Sequence, residues 1–291
     1  MFNEDVQPAA QAAAVEVGRR RARPALILER AADRGPFLAI GEEVLRAAAR
    51  VNAPATALLS IFLRQAYYEE VVRRWKRIPF RGHRNDDVRR AYCAMNTVEF
   101  EGINARQSWA NWRTIPRNLR GRAPNRPLEV VDLCCGTGQS TQVLAYYLAQ
   151  GSRILGLEFN PRFVEMARSR QYRHRRGGLA TVSFNAQSVL DHPFADPEGR
   201  ALAPASVDLV NSSGAVGCHF DSDATRVLVH EVARVLRPGG LAMIDSGPGG
   251  TGEKDLVALF EPLGLEVLHK SKSCPLDRYT QVCFRRAAAA S

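Results

Sequence analysis

The densest chemical signal in the 291-residue sequence runs from Leu128 to Ser140, L-E-V-V-D-L-C-C-G-T-G-Q-S. Gly136 and Gly138 permit a tight turn and close backbone approach to a ligand. The apolar run Leu128, Val130, Val131 and Leu133 precedes them and suits a strand buried on both faces. Gln139 to Gln150 follows with helical character, with Val143, Leu144, Tyr147 and Leu148 on one side. A strand, a glycine loop and a helix in that order aim the unpaired N–H groups of the helix start at a ligand. There is no G-x-x-x-x-G-K-[ST], which argues against a nucleotide triphosphatase. Thr141 stands where G-x-G-x-x-G requires its third glycine.

Two further groups could do chemistry. Glu158 ends the next apolar run, Ile154 to Leu157, where a carboxylate can accept one hydrogen bond per oxygen from a ribose diol. His219, in Gly217-Cys218-His219-Phe220, is the best-placed general base, since an imidazole titrates near neutrality.

The stretch Asp132-Leu133-Cys134-Cys135-Gly136-Thr137-Gly138 resembles motif I of the class I S-adenosylmethionine-dependent methyltransferases, D/E-x-G-x-G-x-G, with Cys134 in place of the first glycine. Ser206 to Gly214, S-V-D-L-V-N-S-S-G, resembles motif IV, and Leu236-Arg237-Pro238-Gly239-Gly240-Leu241 resembles the L-(K/R)-P-G-G-x turn before the fifth strand. The resemblance covers roughly residues 127–285. It implies that Asp132, Cys134, Gly136 and Gly138 shape the loop under the methionine part of the cofactor. Glu158 would bind the ribose and Phe159 would pack on the adenine. Ser188 would stand where the family often has an adenine-reading Asp, with Val189 beside it, and Gln187 or Asn185 are substitutes. Ser212 and Ser213 would lie near the methyl donor.

The elements that must position these residues alternate strand and helix after residue 127, which predicts a doubly wound, mostly parallel, Rossmann-like α/β sheet of seven strands. Before it, helical patterns over 40–51, 53–76 and 88–111 predict an N-terminal helical cap. Gly121 to Pro127 reads as the linker, giving domains 1–126 and 127–291. Residues 1–24, with Arg19-Arg20-Arg21-Ala22-Arg23-Pro24, read as a loosely anchored arm. Tyr92, Trp109, Trp112 and Arg113 are candidates to cap an acceptor pocket from this side. The two tryptophans, three apart, would share a helix face, a pattern more often found in a core.

Charge and cysteines bound the class. Residues 1–126 hold 23 Arg/Lys against 13 Asp/Glu, and residues 127–291 hold 17 of each, so the whole net charge of +10 precedes the glycine loop. An Arg-rich solvated helical face accounts for this, and nucleic acid is the competing attraction. Six scattered cysteines show no metal-ligand spacing, and no metal is expected. No apolar run is long enough for a membrane span and no secretory signal is visible, so a cytoplasmic setting is expected. The expected function is methyl transfer from S-adenosylmethionine to a small molecule. An RNA methyltransferase using the basic N-terminal part is one alternative, and a cofactor-binding regulatory protein without turnover is another. Asn211-Ser212-Ser213-Gly214 is not the N/D-P-P-Y/F motif used on exocyclic base amines, which makes nucleic acid the weaker reading.

Overall fold

A computed structural model describes residues 53–75 and 85–288. The chain divides into two compact units, residues 1–64 and 65–291. The arm expected over 1–24 and the helix expected over 40–51 lie outside the described residues, as do the first four residues of the polar stretch 81–87, which suggests a turn; its last three, Asn85 to Asp87, instead begin a helix. Helix α1 (Ala53–Glu70) forms where its apolar spacing predicts and runs into one π-helical turn, Val71–Trp75. Leu58, Leu59, Phe62 and Leu63 on it are exposed.

The helical pattern of residues 88–111 is not one helix. It is three pieces: α2 (Asn85–Ala94), α3 (Thr97–Ile103) and α4 (Ala105–Leu119). The first break is a capping box. The Asn96 side chain accepts the Glu99 N–H at 2.9 Å and the Glu99 carboxylate accepts the Asn96 N–H at 3.0 Å, which starts a new helix. The second break is Asn104, whose side chain bonds back to the Phe100 carbonyl at 2.8 Å. Gly102 has a packing role: a Cβ there would lie 2.1 Å from the Tyr68 ring, so only glycine lets Tyr68 seat against α3.

The second unit is built on a seven-stranded sheet of order β3-β2-β1-β4-β5-β7-β6. The strands are β1 (Glu129–Leu133), β2 (Arg153–Glu158), β3 (Thr181–Ala186), β4 (Val207–Ser212), β5 (Leu236–Ser246), β6 (Leu265–Ser271) and β7 (Thr280–Arg286). β1 to β5 run parallel, and β7 is antiparallel to both β5 and β6. This is the expected doubly wound sheet with an antiparallel closing pair. β5 is longer than its apolar core predicts. Leu236 already pairs with Val207, and the Arg237–Gly240 turn is a bulge within the strand before Leu241 pairs with Leu209. Arg237 steadies that bulge with two 2.9 Å hydrogen bonds to Asp208.

Crossover helices cover both faces: α5 (Gln139–Tyr147), α6 (Pro161–Arg168), α7 (Val216–His219), α8 (Ser222–Val235) and α9 (Glu253–Phe260). One core holds Val131, Leu133, Val210, Leu228, Val232 and Phe284, and the opposite one holds Val130, Leu144, Ile154, Leu209, Ile115 and Leu119. Each fully buried aliphatic side chain contributes roughly 1.5–3 kcal/mol. The second core includes the buried face of α4, so the cap is part of the sheet's packing. The chain order reverses between β1 and β4, which opens a crevice at their carboxyl ends. No described helix is long and apolar enough to cross a membrane.

Candidate cofactor and acceptor site

The loop after β1 carries three successive departures from ordinary backbone. Cys134, Gly136 and Gly138 have φ of 50°, 55° and 83°. Cys134 takes the left-handed conformation that the usual first glycine would take freely, at a steric cost. Asp132 holds the loop in place. It is fully buried and accepts hydrogen bonds from Ser140 Oγ (2.8 Å), Thr141 Oγ1 (2.6 Å) and Asn211 Nδ2 (2.7 Å), tying β1 to the start of α5 and to β4. Burial raises its pKa to about 6, against the pull of those donors.

Glu158 lies across from this loop at the end of β2. Its Oε2 accepts the Gly136 N–H at 3.0 Å and its Oε1 accepts the Asn160 N–H at 2.9 Å. It is 4% exposed, and burial raises its pKa to about 7 although the N–H donors favour the charged form. Each oxygen retains a lone pair for a further donor. Asn160 is the N-cap of α6, accepting the Arg162 N–H at 3.1 Å, and its side-chain amide donates to the Tyr92 carbonyl at 3.2 Å. Phe159 beside it lies under the Arg89 guanidinium, 5.5 Å from the ring centroid.

The segment after β3 folds onto itself. Ser188 Oγ accepts the Leu190 N–H at 3.2 Å, and Val189 is buried in the core with Phe194. Gln187 donates to the carbonyls of Asp191 and Pro193 at 2.8 Å each, and Asn185 donates to that of Ala195 at 3.0 Å, so both side-chain amides are used within this segment. At the end of β4, the buried Ser212 donates to Asp245 at 2.8 Å. Ser213 donates to Asn111 Oδ1 at 2.6 Å, and Gln107 donates to both Asn111 (2.9 Å) and Ser213 (3.0 Å). Asp245 also accepts the Gly217 N–H at 2.9 Å, which fixes the short helix that ends in His219. The His219 Nε2 lies 2.8 Å from the Tyr92 hydroxyl, with the rings edge to face.

The structure therefore brings Asp132, Cys134, Gly136, Gly138 and Glu158 together around the loop after β1, and Ser212, Ser213 and His219 beyond β4, with Tyr92 between them, its carbonyl on Asn160 and its hydroxyl on His219. Trp109 and Arg113 pair with each other, the guanidinium 4.3 Å from the ring centroid. Trp112 is exposed and meets Tyr146 and Tyr147 near the end of α5. The tryptophans thus do not share the buried face of α4, which is Ala110, Asn111, Thr114, Ile115, Asn118 and Leu119.

Several residues of the site carry no obvious sequence signal. Asp245 ends an apolar strand and could have been found by asking what anchors the loop carrying His219. Asn160 before Pro161 is a readable N-cap. Glu101 from α3 and Gln107 and Asn111 from α4 reach the loops after β1 and β4, and nothing local marks them.

Residues 125–261 match the family model of a methyltransferase domain. The chain is 29% identical over 113 residues to the demethylmenaquinone methyltransferase of Lactococcus lactis, covering 39% of each chain. It is 30% identical over 113 residues to the arsenite methyltransferase of Aquipseudomonas alcaligenes, covering 38% of this chain and 30% of that one. It is 32% identical over 120 residues to an uncharacterized methyltransferase of Synechocystis, covering 40% and 46%. The matches thus span less than half the length of these relatives.

Proposed function

We propose that this chain, whose residues 125–261 match the model of a methyltransferase domain, is a class I S-adenosylmethionine-dependent methyltransferase that transfers the methyl group of that cofactor to a small-molecule acceptor. The observation that carries the reading is the Glu158–Gly136 hydrogen bond of 3.0 Å. It sets a carboxylate at the end of β2 against the glycine turn after β1, so that a ribose acceptor and loop amides address the same ligand. The residues fit the cofactor. Glu158 keeps acceptor capacity for two hydroxyls, the Cys134–Gly138 loop offers close backbone approach, and Phe159 and Ser188 would flank a base, with Val189 buried in the core beside Ser188.

When bound, S-adenosylmethionine supplies a methyl group on a sulfonium that leaves readily. The chain's own tasks are to bind, to orient the acceptor and to limit water. Ser212, which ends β4, and Ser213, which follows it, would stand on the reacting side of the crevice. For an acceptor that must lose a proton, the Tyr92–His219 pair is placed to take it. Residues 88–116 would act as the pocket lid through Tyr92, whose hydroxyl lies 2.8 Å from His219 Nε2, whereas Trp109 and Arg113 pair with each other and Trp112 packs on Tyr146 and Tyr147. Both named relatives with a stated acceptor, a demethylmenaquinone and an arsenite methyltransferase, support a small acceptor over a nucleic acid. Six free cysteines support a cytoplasmic setting.

Incubation of the protein with methyl-labelled S-adenosylmethionine and a fractionated cell extract tests this. Label in the small-molecule fraction is expected. Label in RNA or DNA would replace the acceptor class, and binding without any transfer would make the chain a non-catalytic cofactor-binding protein.

A further inference from the structure

Helix α1 presents apolar side chains to solvent where a surface helix ordinarily presents polar ones. Leu58, Leu59, Phe62 and Leu63 are between 36% and 51% exposed, and Ala66 is exposed beside them. At about 100° per residue these five positions form one stripe, roughly 140° wide and a little over two turns long. No charged residue falls on the stripe between Leu58 and Ala66. The end of the helix is packed through other positions. Tyr68 seats on Gly102, Gln65 Oε1 accepts the Arg106 N–H at 3.0 Å, and Val72 is fully buried with Tyr92 and Met95. A contiguous row of exposed large apolar side chains is the mark of a surface that meets a partner.

The sequence around the helix supplies the sign of that partner. Residues 73–84 hold six Arg/Lys and no Asp or Glu, and Arg19 to Arg23 precede the helix. Arg73, directly after the helix, is exposed. A short apolar stripe next to a run of cations suits an anionic lipid surface. The headgroups attract the cations, and Leu and Phe enter the boundary of the acyl chains. A nucleic acid would use the charge and leave the stripe wet. A second copy of this chain would cover the stripe but bring two basic stretches of like sign together.

We propose that α1 is a membrane-docking element: its Leu58–Ala66 stripe lies in the surface of an anionic bilayer, and the basic stretch 73–84 lies on the headgroups. The attachment is peripheral, in keeping with the absence among the described residues of a helix long and apolar enough to cross. It is independent of the methyl-transfer reading, and its test needs neither cofactor nor acceptor.

Flotation of the full chain with lipid vesicles at about 150 mM salt, where screening acts over roughly 8 Å, is that test. Vesicles of phosphatidylcholine mixed with phosphatidylglycerol should carry the protein, and vesicles of phosphatidylcholine alone should carry far less. Binding should weaken further as salt rises. Phe62→Ser with Leu63→Ser changes two exposed positions and should lower partitioning on the order of 10-fold per side chain. Arg73→Gln with Lys76→Gln and Arg77→Gln should lower it about fivefold per charge, on the anionic vesicles alone. Failure of the wild type to float with either composition, equal flotation with both, or equal binding of the wild type and the double-serine variant would overturn the proposal. A wild-type dimer in sedimentation velocity that the double-serine variant converts to monomer would also overturn it, since the stripe would then belong to a second copy.

Discussion

The segment from Asn85 to Leu119 meets the same sheet in two different ways. Its second half, α4, is built into the domain. Ile115 and Leu119 are in the core with Val143 and Leu144, and the fully buried Asn118 donates to Gln281 at 3.0 Å. Gln281 in turn donates to Asn211 at 2.9 Å, and Asn211 donates to Asp132. A continuous buried polar chain therefore runs from α4 to the carboxylate behind the glycine loop. The first half, α2 and α3, instead rests on the carboxyl ends of the strands through a mixed aliphatic and aromatic cluster, the Glu101–Arg170 ion pair, the Thr137–Glu101 and Asn160–Tyr92 hydrogen bonds and the Tyr92–His219 contact. Helices adjacent in sequence thus differ: α4 is built into the core and also reaches Ser213 through Gln107 and Asn111, whereas α2 and α3 rest on the strand ends.

Variants in each half should separate these roles. The largest effect is expected on α4: Ile115→Ala, at a position with no exposed surface, should lower unfolding free energy by about 2–5 kcal/mol in denaturant titrations, while folded molecules keep their affinity for S-adenosylmethionine. A loss of affinity without loss of stability there would erase the division. On the crevice side, Glu158→Ala should weaken S-adenosylmethionine binding by roughly 1.5–3 kcal/mol, the range for hydrogen bonds to a charged group. Unchanged affinity by calorimetry would take Glu158 out of the ribose site.

A smaller effect follows from burial of the two carboxylates. Both pKa values are raised, to about 6 for Asp132 and about 7 for Glu158, so the folded protein holds their protons more tightly than the unfolded chain. That contribution is fully present below the unfolded values near pH 4 and is lost as pH rises through 6 and 7. His269, held below its usual value by burial and then by Arg122, acts in the opposite direction as pH falls. Melting scans without ligand from pH 5 to 8 should show a decline that is shallower in Glu158→Gln, by on the order of 1–2 kcal/mol across the window. Parallel curves for the two proteins would mean that Glu158 is not the titrating group. The smallest effect is expected at Trp112→Ala, which loses edge contacts with Tyr146 and Tyr147: roughly 0.5–1.5 kcal/mol of stability and no change in cofactor affinity.

The sheet was legible because its signals are local: β1 and its glycine loop, the acidic end of β2 and the turn before Leu241 are all contiguous in sequence. The cap was legible only as helix. Its apolar spacing runs through the region, but the Asn96–Glu99 capping box that splits α3 from α2 was hidden under that periodicity. The closeness of Tyr92 to His219, or of Phe100 to Gly136, depends on a tertiary placement that no spacing encodes. Asp245 escaped notice for the same reason, since its role is to bind the amides of a helix that begins well before it in the chain.

Methyl transfer by this chain requires that the crevice between β1, β2 and β4 hold S-adenosylmethionine. Titration calorimetry of the wild-type protein with S-adenosylmethionine and, separately, with NAD tests it most directly, because both carry a ribose that Glu158 could hold. Saturable binding of S-adenosylmethionine and none of NAD is expected. Binding of NAD without S-adenosylmethionine would contradict it.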